Sequence, residues 1–265
     1  MTAPCLLTIS RRLYLVIGLL SLALPLRALA QDAVPTEILQ RTRFVRGPNE
    51  AGTAFFVDYK GKAYLVTARH VLAGVPQSNA TIQIWDKERW VDYKTVHTLY
   101  PESDDVDIAV LETPETVPRT YDVAMGTGTA EVTLGQQVWF LGFPWGLGSP
   151  VPSDSKLFAQ WRIPFIKRGT LSAIDSTNPK AIVILIDGFN NPGFSGGPIV
   201  FWDFNARAYR ILGVVKGYRE DTAKVVINGV QADTAFLVNS GILIAYSIQH
   251  VLDTIEASQT PKKGT

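Results

Sequence analysis

Asp187-Gly188-Phe189-Asn190-Asn191-Pro192-Gly193-Phe194-Ser195-Gly196-Gly197-Pro198 lies between two strongly apolar runs, Ala181 to Ile186 and Ile199 to Trp202. Short apolar runs bounded by turn residues read as strands. The stretch between them then holds Ser195 at the mouth of a packed sheet. Gly193 frees the main chain to turn so that its N–H and that of Ser195 point together at a developing oxyanion. Gly196 and Gly197 let backbone pass close behind the serine. Taken alone, the stretch reads equally well as a surface turn rich in Gly and Asn.

Upstream, Gly52-Thr53-Ala54-Phe55-Phe56-Val57-Asp58-Tyr59 and Lys62-Ala63-Tyr64-Leu65-Val66-Thr67 flank Lys60-Gly61, which predicts a hairpin. Its second strand runs into Ala68-Arg69-His70-Val71-Leu72, a short helical turn that places a histidine where the sheet ends. Further strands are expected at Thr81 to Trp85, Trp90 to Thr98, Ile108 to Leu111 and Val132 to Leu141. Others are expected at Lys167 to Ile174, Ala208 to Val215 and Ala235 to Leu237. Trp145 to Pro164 is broken by Gly146, Gly148, Pro150, Pro152 and Pro164 and reads as a surface loop between two halves. Ile244, Ile248, Val251, Leu252 and Ile255 recur at helical spacing and predict one closing helix. Many short strands and one helix predict an all-β fold of two small packed barrels.

The expected division is a signal peptide over 1–30, a lead-in over 31–49 lying over the domain, a first barrel over 50–144 and the loop over 145–164. A second barrel with its helix covers 165–257, and a disordered tail 258–265. In the leader, Arg11 and Arg12 precede the apolar run Leu13 to Leu26, which is shorter than the roughly 20 residues of a spanning helix. Ala28-Leu29-Ala30 offers a cleavage site, and Ser10-Arg11-Arg12-Leu13 resembles a twin-arginine signal. Export to the periplasm or the outside is expected, with no stable membrane span after cleavage. Removing the leader leaves 22 basic against 24 acidic side chains, without the basic field that nucleic acid would require. The single cysteine, Cys5, leaves with the leader, so the mature chain has neither disulfide nor thiol nucleophile.

Serine needs a neighbouring base to become a nucleophile. Of the three histidines, His97 reads as a half-buried strand residue and His250 as structural, beside the stripe of the last helix. His70, at a strand end, is the candidate base, although a core or capping role fits the residue taken alone. A carboxylate must then fix its tautomer. Asp104, Asp105 and Asp107 cluster before Ile108, and Asp107 is chosen because it joins directly onto the apolar strand. No metal or cofactor is expected, since the histidines are dispersed and neither a calcium loop nor a phosphate-binding glycine pattern occurs.

Three pieces, Leu65-Val66-Thr67-Ala68-Arg69-His70-Val71, Asp107-Ile108-Ala109-Val110-Leu111 and Gly193-Phe194-Ser195-Gly196-Gly197-Pro198, resemble the motifs of trypsin-like serine proteases, in the family's order. The chain is most similar to the cysteine-free bacterial peptidases related to the HtrA/Deg proteins. Gly52 to Phe56, Arg168 to Ile174 and Ile248 to Leu252 extend the likeness over about residues 50 to 256. The resemblance implies two packed six-stranded antiparallel β-barrels with the site between them, and polypeptide substrates. It implies His70 as base, Asp107 as its orienter, Ser195 as nucleophile and the N–H groups of Gly193 and Ser195 as oxyanion hole. It implies Phe189 at the base of the specificity pocket, where the absence of a carboxylate argues for a non-basic, small or medium apolar residue before the scissile bond. Lys216, Gly217 and Tyr218 would pair with substrate backbone. HtrA proteins carry a PDZ module after the protease, and none is expected within this sequence, where only a few residues follow the last helix. Family members usually have Asn or Asp where this chain has Phe194, so activation by a newly cut amino terminus is not expected. Phe194 and Phe189 are also the grounds for an alternative, a non-catalytic protease-like binding protein; an esterase using the same triad is a third reading.

Overall fold

The computed structural model describes residues 33–86, 88–114, 132–150 and 162–260. The expected signal peptide, most of the 145–164 loop, and residues 261–265 of the tail lie outside them.

Residues 36–265 form one compact unit. It opens with a short helix α1 (Thr36–Arg41) that leads directly into β1 (Thr42–Arg46). A sheet of seven strands follows from β1, β2 (Ala51–Tyr59), β3 (Lys62–Thr67), β4 (Thr81–Asp86), β5 (Arg89–Lys94), β6 (Thr98–Leu99) and β7 (Ala109–Glu112). Its order is β5-β4-β1-β2-β3-β7-β6. The β2–β3 hairpin turns on Lys60 and Gly61, both at positive φ (52° and 79°), as a two-residue turn matched to strand twist requires. Val45, Ala54, Phe56, Leu65, Ile82, Ile84 and Leu111 fill its core together with Val71 and Leu72.

The second half contains β8 (Gln137–Gly142), β9 (Phe165–Asp175), β10 (Val183–Asp187), β11 (Pro198–Asp203), β12 (Ala208–Ile227) and β13 (Val230–Ser247), then helix α2 (Gln249–Gln259). These six strands close on themselves in the order β10-β13-β12-β11-β8-β9. Val138 and Phe140, Ile184 and Ile186, and Leu243 and Ala245 alternate inward around Phe194, Leu212 and Val215.

Two differences from the sequence expectation matter. The expected pair of six-stranded barrels is corrected: among the described residues the first half is an open seven-stranded sheet. Its two ends never meet, because β6 is two residues long and pairs only with β7, while β5 is a half-solvated strand paired only with β4. Short or charged edges are how sheets end without aggregating. Second, the lead-in is not a cover. Strand β1 sits between β4 and β2 with four of its five residues buried. Its Phe44 ring lies 4.8 Å from Trp90 and 5.3 Å from Phe143 of the second half, so it joins the two halves. Buried Thr42 and Arg43 hide this strand from a hydrophobicity pattern. Burial pulls the Arg43 guanidinium down to about 9.

Helix α2 continues to Gln259, past the expected end of the domain. His250 anchors it: the Ile182 N–H donates to its Nε2 at 2.9 Å, and burial holds its pKa below the ordinary value. A lowered folded pKa means that protonation favours the unfolded chain, so this contribution is intact above the unfolded value and is lost as pH falls through it. His250→Gln keeps an acceptor without the titration. Thermal unfolding at pH 7.5 and 5.5 should therefore show a smaller acid loss in the variant than in the parent.

Candidate active site

Between β10 and β11 the chain makes the Ser195 loop, and the alternation there is decisive. Phe194 is fully buried and meets Phe140 edge-to-face at 5.3 Å. It belongs to the barrel core. The loop is thus nailed down one residue before Ser195, whose side chain faces outward. Gly142 of β8 makes room, since a Cβ there would come within 2.6 Å of the Phe194 ring. Phe194 therefore does not crowd the loop; it anchors it.

Two glycines of the loop are sterically obligatory. Gly193 has φ 102° and a Cβ would stand 2.3 Å from the Phe143 carbonyl oxygen. Gly196 has φ 83° and a Cβ would meet the Thr53 carbonyl oxygen at 2.1 Å. The other side of the loop is held by one residue of the open sheet. Thr53 donates its N–H to Ser195 O at 2.8 Å and its hydroxyl to Gly193 O at 2.7 Å. The same hydroxyl accepts the Phe143 N–H at 3.1 Å, and Thr67 Oγ1 donates to Thr53 O at 2.7 Å. Trp145, at positive φ, donates its N–H to the Pro192 carbonyl at 2.9 Å. In a trans peptide the N–H points opposite to the C=O, so the Gly193 N–H faces away from Trp145. Among the described residues, the amides of Gly193 and Ser195 have no hydrogen-bond partner.

His70 lies on a single 3-10 turn, Arg69–Leu72, at the end of β3. Asp107 grips that turn from the residues preceding β7. Its Oδ1 accepts the His70 backbone N–H at 2.9 Å and its Oδ2 lies 2.5 Å from His70 Nδ1. The Arg69 N–H donates to its carbonyl at 3.3 Å. Asp104 is solvated and pairs with Arg69, and Asp105 contributes its carbonyl to the Tyr246 hydroxyl. The hydrogen bond to Asp107 raises the His70 pKa; burial opposes it, and the charges of Asp107 and Glu50 add to the rise. Glu50 Oε2 lies 3.9 Å from His70 Nε2.

Ser195 Oγ donates to the Lys216 carbonyl at 3.0 Å and not to His70 in this conformation. The serine is thus joined to β12, while His70 and Asp107 are joined to each other. Gly217 and Tyr218 follow on β12, paired with Ile244 and Leu243. Phe189 stands elsewhere than at the base of an enclosed pocket: it is 57% exposed, its ring 5.6 Å from the Lys167 ammonium. Lys167 Nζ donates to Phe189 O at 2.7 Å and to Asn191 Oδ1 at 2.6 Å, and burial lowers its pKa. His97 is exposed beside Ser78, and His250 serves α2. Among the described residues no group of three or more metal-ligating side chains occurs. Sequence reasoning missed Thr53, Trp145, Glu50 and Lys167. Only Thr53 left a signal, as the one polar residue within the run Ala51 to Val57.

An open sheet and a closed barrel meeting at a Ser195 loop, with a His–Asp pair on the sheet side, define the two-part serine peptidase architecture. Residues 52–206 match the model of the trypsin-like peptidase domain, and the chain belongs to that family. Protease Do-like 1, chloroplastic, of Arabidopsis thaliana is 27% identical over 173 residues, covering 65% of this chain and 34% of the relative. The chain thus spans about a third of that relative's length. The inactive form of the Rv3671c protease of M. tuberculosis superimposes with a TM-score of 0.51 at 16% identity, covering 84% of this chain and 91% of that one. The HtrA-type protease AlgW with tripeptide gives 0.52 at 18% identity, over 84% and 62% of the two chains. A serine endoprotease from Yersinia pestis gives 0.52 at 16%, over 85% and 67%. At these identities the three structures establish the shared fold.

Thr53→Val keeps the shape of the strap but leaves the buried Gly193 carbonyl and Phe143 amide unbonded. Unfolding should be easier by about 1–3 kcal/mol in denaturant titration. Glu50→Gln removes one carboxylate from beside His70, so the imidazole should titrate at lower pH in NMR spectra. High salt should erase the difference, because both groups are partly exposed.

Proposed function

We propose that the chain is an exported serine endopeptidase with Ser195 as nucleophile, His70 as general base and acid, and Asp107 as its orienter. The observation that carries this reading is the two-point grip of Asp107 on His70. It fixes which imidazole nitrogen bears the proton and leaves Nε2 to act as base. Rotation about the Ser195 Cα–Cβ bond would exchange the Lys216 carbonyl for that nitrogen, as loose apo geometry allows. Ser195 Oγ then attacks a peptide carbonyl while His70 takes its proton. The tetrahedral oxyanion is received by the N–H groups of Gly193 and Ser195, which are spent on no other partner among the described residues. His70 gives the proton to the leaving amine, and a water activated by the same imidazole releases the acyl-enzyme.

Substrate backbone is proposed to pair with Lys216, Gly217 and Tyr218. The Lys167 ammonium close behind Phe189 and Asn191 disfavours Lys or Arg before the scissile bond, which supports a non-basic preference. Phe194 packs into the core, which removes its crowding as a ground for a binding-only protein. Export rests on the leader sequence, with the periplasm or the outside as destination.

A fluorophosphonate probe should label the parent and not Ser195→Ala; no labelling of folded parent protein overturns the hydrolase reading. Asp107→Asn should lower kcat/KM by about 10³–10⁴-fold. Because the His70 pKa is raised from 6.5 and the neutral imidazole is the base, activity should be lost as pH falls through a midpoint above 6.5. A peptide series varied before the scissile bond should favour Ala, Val or Leu over Lys and Arg. Turnover of the amide as well as its matched ester separates a peptidase from an esterase.

A further inference from the structure

Strand β12 outlasts its neighbour on the β11 side. Pairing with β11 ends at Pro198–Val214, and two bonds of the Ser195 loop follow, Gly196 N–H to Val215 O at 2.7 Å and Val215 N–H to Gly197 O at 2.9 Å. Apart from the Lys216 carbonyl, which accepts the Ser195 hydroxyl, that edge has no hydrogen-bond partner outside the β12–β13 ribbon among the described residues as far as Ile227. The opposite edge stays paired with β13 as far as Ile227–Val230, where Asn228 and Gly229 make a positive-φ turn. The open edge begins at Lys216, whose carbonyl holds Ser195 Oγ. It is therefore continuous with the reacting group.

We infer that this edge is an extended subsite for the part of a polypeptide substrate N-terminal to the scissile bond, reaching well beyond Lys216, Gly217 and Tyr218. The inference rests on the proposed role of Ser195. An exposed antiparallel edge offers alternating N–H and C=O groups to an added strand. With the scissile carbonyl at Ser195, the first upstream residue lies beside Lys216, and antiparallel addition sets each earlier residue beside a later residue of β12. The edge from Lys216 to Ile227 runs for roughly 35 Å, room for about eight to twelve substrate residues. Of the register irregularities, the one at Val215/Gly217 leaves Lys216 as a surplus residue on β12, whereas those at Tyr218/Glu220 and Lys224/Val226 place their surplus residues on β13, so that beyond Gly217 the edge of β12 is less interrupted than that of its partner.

Side chains set what this strand prefers. Near the site the ribbon carries Arg219, Glu220, Asp221 and Lys224, of both signs and without a net field. Val226, Ile227 and Val230 toward the tip, and Phe236 and Leu237 level with Ala223 and Thr222, are 55–70% exposed. Ala223 pairs with Phe236 and Thr222 with Leu237, in adjacent registers, so apolar side chains stand on both faces. The occupant is an extended segment whose apolar residues lie about eight or more positions before the cut.

The test uses nested peptides around one scissile sequence, with 4 or 12 residues upstream. The longer one, given Val, Ile or Phe at its far positions, should raise kcat/KM at least about tenfold, whereas lengthening downstream should not. Methylating upstream amide nitrogens one at a time should cut this gain with a period of two. In a variant whose Ala223–Phe236 segment is replaced by Asn-Gly, the ratio of long to short should fall toward one. Equal kcat/KM for both lengths overturns the subsite and leaves the peptidase reading intact. So does a ribbon-dependent dimer in sedimentation without any length effect, since the edge would then pair with a second copy. Absence of both cleavage and fluorophosphonate labelling overturns the two together.

Discussion

Thr53 is the contact on which the site depends. It belongs to β2 in the open sheet, yet its amide and hydroxyl fix the carbonyls of Ser195 and Gly193 in the other half, and the same hydroxyl receives the Phe143 amide. Between two sheets that share few bonds, one buried residue orients the peptide planes on either side of the serine. Phe194 holds the loop from below by packing, and Trp145 holds it from the flank through Pro192. Each constraint acts on a different peptide unit, so none substitutes for another.

The electrostatics follow from the same division. His70 hangs on one short turn of the sheet and Asp107 on the residues before β7; there burial would discharge the imidazole and the carboxylate keeps it basic. Lys216 comes from the barrel, and its charge acts on His70 in the opposite sense. The basicity at the centre of the cleft is thus set from both sides of it.

Sequence patterns made much of this visible and stopped at identifiable places. The β2–β3 hairpin, the strand-end position of His70 and the preference for Asp107 over its neighbours were legible, because periodicity and turn chemistry act locally. Strand β1 was not, since buried Thr42 and Arg43 break the apolar pattern that marks a central strand. The closure of each sheet is set by which strands meet across the chain, and no local signal carries it; β6, two residues long, shows how little sequence separates an open sheet from a barrel. The long ribbon was not legible either: the expected strands cover only Ala208 to Val215 and Ala235 to Leu237, because the charged and polar residues from Lys216 to Lys224 break the apolar pattern. Asn228-Gly229 is nonetheless a hairpin turn flanked by β-branched residues. Phe194 could be read as an obstruction from sequence alone, because only the fold shows whether an aromatic ring points into the core or across the site.

The hydroxyl bond from Thr53 to Gly193 spans 140 residues of sequence. Contacts that distant close late, because the entropy of ordering the intervening chain must be met first. The loop around the serine is therefore shaped only after both halves have condensed and docked. Until then His70, Asp107 and Ser195 lie on one chain without the contacts that bring their segments together. Long-range topology thus postpones the shaping of this loop until the rest of the chain has folded.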